Sequence, residues 1–197
     1  MLATKPLKPC KAEVERYLER WEGQADYASQ ELALSKLFHD LCPRNELFED
    51  ILLKVATLND FYGTNIFKTY SVAKHIFEMR IDGRLQVGDL TLVEDLAKTE
   101  MPDKSVRNFY SFATKYCSHH RPEVYAIYDS YVDEVLRYFR GRDKFASFRN
   151  SNLKNYKTFV DIVRTFREFY GLSEYSLKDI DRYLWQLGKD CFPRRYN

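Results

Sequence analysis

The residues best placed to do chemistry lie in the segment Pro122-Glu-Val-Tyr-Ala-Ile-Tyr-Asp129-Ser-Tyr-Val132. A proline turn leads through a short extended apolar run, Val124 to Tyr128, to a single aspartate at the mouth of an amphipathic helix. A capping box of Ser130 and Asp133 would leave Asp129 one position outside the helix, near its positive end, where negative charge is favoured. Tyr125, Tyr128 and Tyr131 would partly dry the carboxylate and work against the charge. Such a group can stabilise positive charge developing on a substrate or orient an attacking water. A plain N-cap is the competing structural explanation, and helix statistics favour it.

Other constellations are less pointed. Ser118-His119-His120-Arg121 offers two imidazoles, but helix neighbours point about 100° apart and seldom share a metal; a solvated helix end is the stronger reading. The run from Asp179 to Lys189 would turn Leu184 and Trp185 inward and leave Arg182 and Lys189 able to touch phosphates. Cys10, Cys42, Cys117 and Cys191 lie 32, 75 and 74 residues apart. That spacing fits neither zinc nor iron–sulfur ligation, so four thiols and no metal are expected.

The 197 residues carry 31 Lys and Arg against 29 Asp and Glu. This balance hides an asymmetry: residues 1–100 hold 13 basic and 17 acidic side chains, residues 101–197 hold 18 and 12. Between 137 and 167 nine basic residues, among them Arg137, Arg140, Arg142, Lys154 and Lys157, face only Asp143 and Asp161. A polyanion would be drawn to such a surface, although a solvated helix face with acidic neighbours supplied by the fold explains it equally well. No apolar run approaches the roughly 20 residues of a membrane span. The opening Met-Leu-Ala-Thr-Lys-Pro lacks the apolar stretch of a signal peptide, so a cytoplasmic protein without a membrane is expected.

The elements that must position these residues read as helices nearly throughout. Val106, Phe109, Tyr110, Ala113 and Cys117 make one helical stripe, and Val132, Val135, Leu136 and Phe139 another. Leu153 to Tyr170 marks a long amphipathic helix closing at Gly171, and the last helix opens on a Ser176/Asp179 capping box and stops near Gly188. Earlier helices are predicted over about 12–22, 26–40, 46–58, 65–79 and 89–98. No alternation supports a sheet. The expected fold is all-α, and the polar segment 141–152 is the expected junction between two lobes.

Ala-Ile-Tyr-Asp129-Ser-Tyr-Val, preceded by a helix and a proline, resembles the catalytic segment of helix-hairpin-helix DNA glycosylases, the endonuclease III and 8-oxoguanine glycosylase superfamily. A second block, Phe48 to Asn65, is similar to that family's early helix, which ends in an amide residue entering the DNA where the target base has left. Asn59 occupies that place. The resemblance covers about residues 46–140. It departs at the hairpin: Met101-Pro-Asp-Lys-Ser-Val-Arg107 has no glycine, leaving Lys104 and Arg107 as phosphate contacts. The position of the family's Schiff-base lysine falls near Tyr110 and Ser111, with Lys115 one turn further and expected to point elsewhere. The resemblance therefore implies a monofunctional enzyme.

What it implies as a whole is a two-lobed helical glycosylase. Residues 1–45 with 141–197 would form one lobe and 46–140 the other, with the cleft between them. Asp129 would be catalytic and Asn59 the plug. Arg137, Arg140, Arg142, Lys154 and Lys157 would hold double-stranded DNA, and Phe61, Tyr62, Tyr125, Tyr128 and Trp185 are the base-pocket candidates, though core packing is the commoner fate of any one aromatic. No cofactor and no obligate protein partner are implied, and a monomer is expected. The base could be oxidised, alkylated, mismatched or a hypermodified phage cytosine, in repair or in anti-phage defence. Two other classes remain open: a non-enzymatic helical nucleic-acid-binding or regulatory protein, and a helical module whose basic face meets an acidic protein.

Overall fold

The computed structural model describes residues 5–193. Ten α-helices carry most of it: α1 (Lys11–Glu22), α2 (Ala25–Ser35), α3 (Phe48–Tyr62), α4 (Thr69–Met79), α5 (Asp82–Val87), α6 (Leu92–Ala97), α7 (Tyr110–His120), α8 (Ser130–Asp143), α9 (Tyr156–Phe169) and α10 (Leu177–Cys191). The protein is thus predominantly helical, as the periodicity requires. None of these helices is long and apolar enough to cross a membrane among the described residues.

The chain divides into two units. One comprises residues 26–125; the other joins the residues up to Ala25 to those from Ala126 onward. The boundaries expected at 45 and 140 thus lie at 25 and 125, and Asp129 falls in the unit built from the chain's ends. Segment 141–152 is no junction. Its Phe145 is buried among the rings of Phe166 and Tyr170, and Arg140 Nη1 donates to the Phe148 carbonyl at 2.8 Å. A segment so anchored belongs to a core, however polar its sequence.

In the middle unit α3 packs on α4 and α7, and α6 on α7. Ile51, Val55 and Leu58 of α3 are fully buried, as are Val72, Ala73 and Ile76 of α4. Helix α2 runs on into a π-helical turn, Lys36–Leu41, closed by Cys42 N–H donating to Leu37 O at 2.9 Å. That turn carries Phe38 into the core, edge-on to Tyr116 and His120.

One small sheet departs from the all-helical expectation. Strands β1 (Lys98–Glu100) and β2 (Val106–Asn108) pair antiparallel, with Thr99 opposite Arg107. The helix expected from the stripe that starts at Val106 begins at Tyr110 instead. Asp103 Oδ1 accepts from both the amide and the hydroxyl of Ser105, and Lys104 takes a left-handed conformation at φ 66°. This Asx-type turn diverts the backbone into a ribbon before helix can start. Val106, the supposed first member of the stripe, is exposed.

In the other unit α10 packs against both α8 and α1. Tyr17 and Trp21 of α1 meet Tyr183 and Trp185 of α10 edge-on, at 5.5 and 5.7 Å between ring centroids. Arg20 Nη1 reaches Asp190 Oδ2 at 2.5 Å. The Ser176/Asp179 capping box forms. Gly171, at φ 65°, follows the end of α9. Helix α10 continues through Gly188 to Cys191, however. There a Cβ would lie 2.6 Å from Tyr131 Cβ, so Gly188 marks a close approach of α8 and α10, not a stop.

Candidate active site

Asp129 ends an extended stretch (φ −133°, ψ 157°) and is itself the N-cap of α8. Its Oδ1 accepts the Tyr131 N–H at 2.9 Å, and its carbonyl accepts the Asp133 N–H at 2.9 Å. The expected Ser130 cap with Asp129 outside it is therefore shifted by one residue, because the aspartate's own extended backbone reaches the orphan amides first. The residue is half-buried. Tyr128, just before it, is buried against Phe159, and Tyr156 Oη donates to the Ala126 carbonyl at 2.9 Å, so the approach to Asp129 is fixed from α9.

A line of polar groups runs beside this cap. Lys154 Nζ donates to Tyr128 Oη at 2.6 Å, Tyr128 Oη donates to Asp133 Oδ2 at 2.9 Å, and Arg137 Nε lies 2.6 Å from Asp133 Oδ1. Lys154 Nζ also sits 4.0 Å from the Tyr128 ring centroid. Burial first, then the hydrogen bond to Asp133, pushes the Tyr128 phenol well above its ordinary range, with the charges of Asp133 and Asp129 adding. It stays a donor. Burial draws Lys154 down while Asp133 opposes it.

Most of the cations expected to meet DNA have partners within the chain. Besides Arg137 and Lys154, Arg140 stacks on Phe148 at 4.8 Å, and Arg142 grips Asp143 through two bonds of 2.6 and 2.7 Å while donating to the Pro6 carbonyl. Lys157 is exposed on α9. In the middle unit, Lys104 pairs with Glu100 at 3.0 Å, and Arg107 is exposed on β2.

Asn59 does not stand ready as a plug. Its Oδ1 accepts from the Thr64 hydroxyl and the Ile66 amide, each at 2.8 Å, and its Nδ2 donates to the Ile66 carbonyl at 3.2 Å. These bonds close the loop after α3, whose turn at Gly63 (φ 55°) needs such an organiser. Among the aromatic candidates, Tyr125 is fully buried and donates to the Asp89 carbonyl at 3.1 Å, so it is core and cannot stack on a base. Tyr62 Oη pairs with His119 Nε2 at 2.9 Å; Phe61 is half-buried at the end of α3; Trp185 carries Lys189 4.4 Å above its ring.

The histidines are not a solvated helix end. His119 is buried, and His120 packs against Phe38 and Tyr116. Burial, then the charge of Lys54, holds His120 well below the ordinary imidazole range. Lys54 itself is a residue the patterning did not single out. It lies on the apolar stripe Ile51, Lys54, Val55, Leu58 of α3, and that spacing was the available signal. Its fully buried ammonium donates to Cys42 O at 3.1 Å, Arg44 O at 2.9 Å and Asn45 Oδ1 at 2.7 Å. Asn45 in turn accepts from Tyr116 Oη at 2.6 Å and donates to Asp82 Oδ1 at 2.5 Å. His120 and Asp82 also line an open cavity of about 450 Å³ with Arg44 and Arg121. On the neighbouring helix face Lys115, expected to point away, is buried and donates to the Ser111 hydroxyl at 2.6 Å.

Fold and site together describe a predominantly helical protein of two units with a helix-capping carboxylate in one and a buried lysine network in the other. A family model named HI_0787_N and described as an N-terminal domain matches residues 13–124. An uncharacterized protein of Haemophilus influenzae is 45% identical over 150 residues, covering 76% of this chain and 71% of that protein. The chain belongs to this family. No solved structure matches it. The matched segment ends inside the middle unit, so it includes the whole Lys54 network and stops short of Asp129.

Proposed function

We propose that the protein is a monofunctional DNA N-glycosylase that takes a modified base out of the duplex and hydrolyses its bond to the sugar. The observation that carries this reading is the placement of Asp129. It is a half-buried carboxylate at the head of α8, reached from the turn at residues 122–124 through a non-helical segment, with its Oδ1 accepting the Tyr131 N–H. The motif order that resembles the helix-hairpin-helix glycosylases adds support, as does a chain whose middle forms one helical unit and whose ends form the other.

The chemistry follows from what base loss requires. A base inside a duplex is out of reach of side chains and must be rotated out of the stack, at a cost of a few kcal/mol. As the base leaves, positive charge grows on the sugar, and a fixed carboxylate stabilises it without reorganising. Water adds to the sugar carbon as the carbon–nitrogen bond to the base breaks; its proton passes to the carboxylate and from there, by way of solvent, to the departing base nitrogen. This reading calls on no metal or organic cofactor. The Lys115 amine is engaged by Ser111, in keeping with hydrolysis rather than a Schiff base.

The test is incubation with a panel of genomic DNAs, modified phage DNA included, followed by mass spectrometry of released bases. Wild type should release one modified base and Asp129→Asn at least about a hundredfold less, with DNA binding retained. Equal release by both, or none from any substrate, overturns the reading. Borohydride added during turnover should trap no protein–DNA adduct; an adduct lost in Lys115→Met would reverse the monofunctional assignment. A non-enzymatic nucleic-acid-binding protein is the competing reading, favoured by the fact that N-capping already occupies Asp129.

A further inference from the structure

We propose that Lys154, Tyr128 and Asp133 form a chain of hydrogen bonds that sets the position of the Asp129 carboxylate, making Lys154 a positioning residue and not a DNA contact. This inference rests on the glycosylase reading for its functional meaning, but its geometry stands without it.

The chain has two points of attachment to the cap. Tyr128 precedes Asp129 directly, so holding its phenol fixes the backbone that delivers the carboxylate. Asp133 lies one turn along α8, and its amide donates to the Asp129 carbonyl at 2.9 Å. Between them, Tyr128 Oη receives Lys154 Nζ at 2.6 Å and gives its own proton to Asp133 Oδ2 at 2.9 Å. Arg137 closes the far side of Asp133 at 2.6 Å. The groups facing the phenol are thus one ammonium and one carboxylate, with Asp129 and Arg137 as the next charges. Bonds to ionised groups are shorter and about twice as strong as neutral ones, and a linked series stiffens each member. A lysine held in this way gives up the mobility that a phosphate contact needs, although the residue is exposed.

A direct readout exists in the Tyr131 amide. It is the second residue of α8, where no intrahelical acceptor is available, so its protection from hydrogen exchange depends on the Asp129 carboxylate. Lys154→Met and Tyr128→Phe should each speed exchange of that amide by about fivefold or more. Amides of α10 should stay unchanged as a control for folding, and Lys154→Arg, which keeps a charged donor, should restore most of the protection. The double variant should be no worse than either single, since both break one chain. In single-turnover base release, Lys154→Met should be about tenfold slower, with the dependence of DNA affinity on salt unaltered. An unchanged Tyr131 exchange rate in both singles overturns the proposal. So does a loss of about 0.9 in the slope of log affinity against log salt, which would make Lys154 a phosphate contact. Should wild type release no base at all, the glycosylase reading fails on its own, and amide exchange still decides for or against the chain.

Discussion

An ammonium has three protons, and Lys54 meets three acceptors while excluded from water. Such a charge is tolerated because every proton is used; removing the ammonium strands the acceptors. Lys54→Met should cost about 2–4 kcal/mol in urea unfolding, since the Cys42 and Arg44 carbonyls lose their donor. The pH dependence has a definite sign. Burial brings Lys54 from 10.5 to about 8, so the folded chain releases this proton before the unfolded one does. The part of its stability linked to this proton is complete above about pH 10.5 and is lost as pH falls through about 8. The melting temperature of wild type relative to Lys54→Met should therefore climb between pH 8 and 10. His120 acts in the acid range: depressed in the fold, it favours the folded state above about pH 6.5 and loses that contribution as pH drops. With Lys54 removed, its imidazole should titrate at higher pH, which an NMR titration would read.

At the level of elements, substitutions at the head of α8 separate the cap that Asp129 provides from the catalytic role proposed for it. Asparagine caps a helix about as well as aspartate, whereas alanine cannot. Asp129→Asn should thus leave stability within about 0.5 kcal/mol, while Asp129→Ala should lose about 1 kcal/mol, both measured by denaturant unfolding. Gly188 tests the same helix from behind. A methyl there would collide with Tyr131, the residue whose amide Asp129 receives, so Gly188→Ala should cost about 1–3 kcal/mol in denaturant unfolding. The apolar stripes of α8 and α9 were legible because each long helix buries one face. The capping box at Ser176 was legible because its two side chains are local. The β1–β2 ribbon was not, since Val106 and Phe109 keep helical spacing while the Asp103 side chain captures Ser105 and turns the chain. Asn59 was ambiguous for a related reason: an amide at a helix end serves equally to invade DNA or to close its own loop, and sequence does not show the bonds it makes to Thr64 and Ile66 here.

Across the whole molecule, charge excess is a poor guide to charge availability. The basic stretch from 137 to 167 suggested a polyanion surface, yet Arg137, Arg140 and Arg142 spend their guanidinium groups on Asp133, the Phe148 carbonyl, Asp143 and the Pro6 carbonyl. Sequence counting could not see this, because the acceptors are backbone oxygens and neighbouring carboxylates brought in by folding. If DNA is bound on this face, exposed Lys157 is a contact where Lys154 is not. Lys157→Met should lower the slope of log affinity against log salt by about 0.9, as measured by fluorescence anisotropy.

The pairing of α1 with α10 also bears on how the protein is made. The Tyr17 carbonyl is bonded by Gln186, 169 residues later. At 5–20 residues per second, roughly 10–30 s of translation separate the two. Throughout that interval Tyr17 and Trp21 lack the rings of Tyr183 and Trp185, and a nascent chain stalled before α10 would offer that side of α1 to chaperones and proteases.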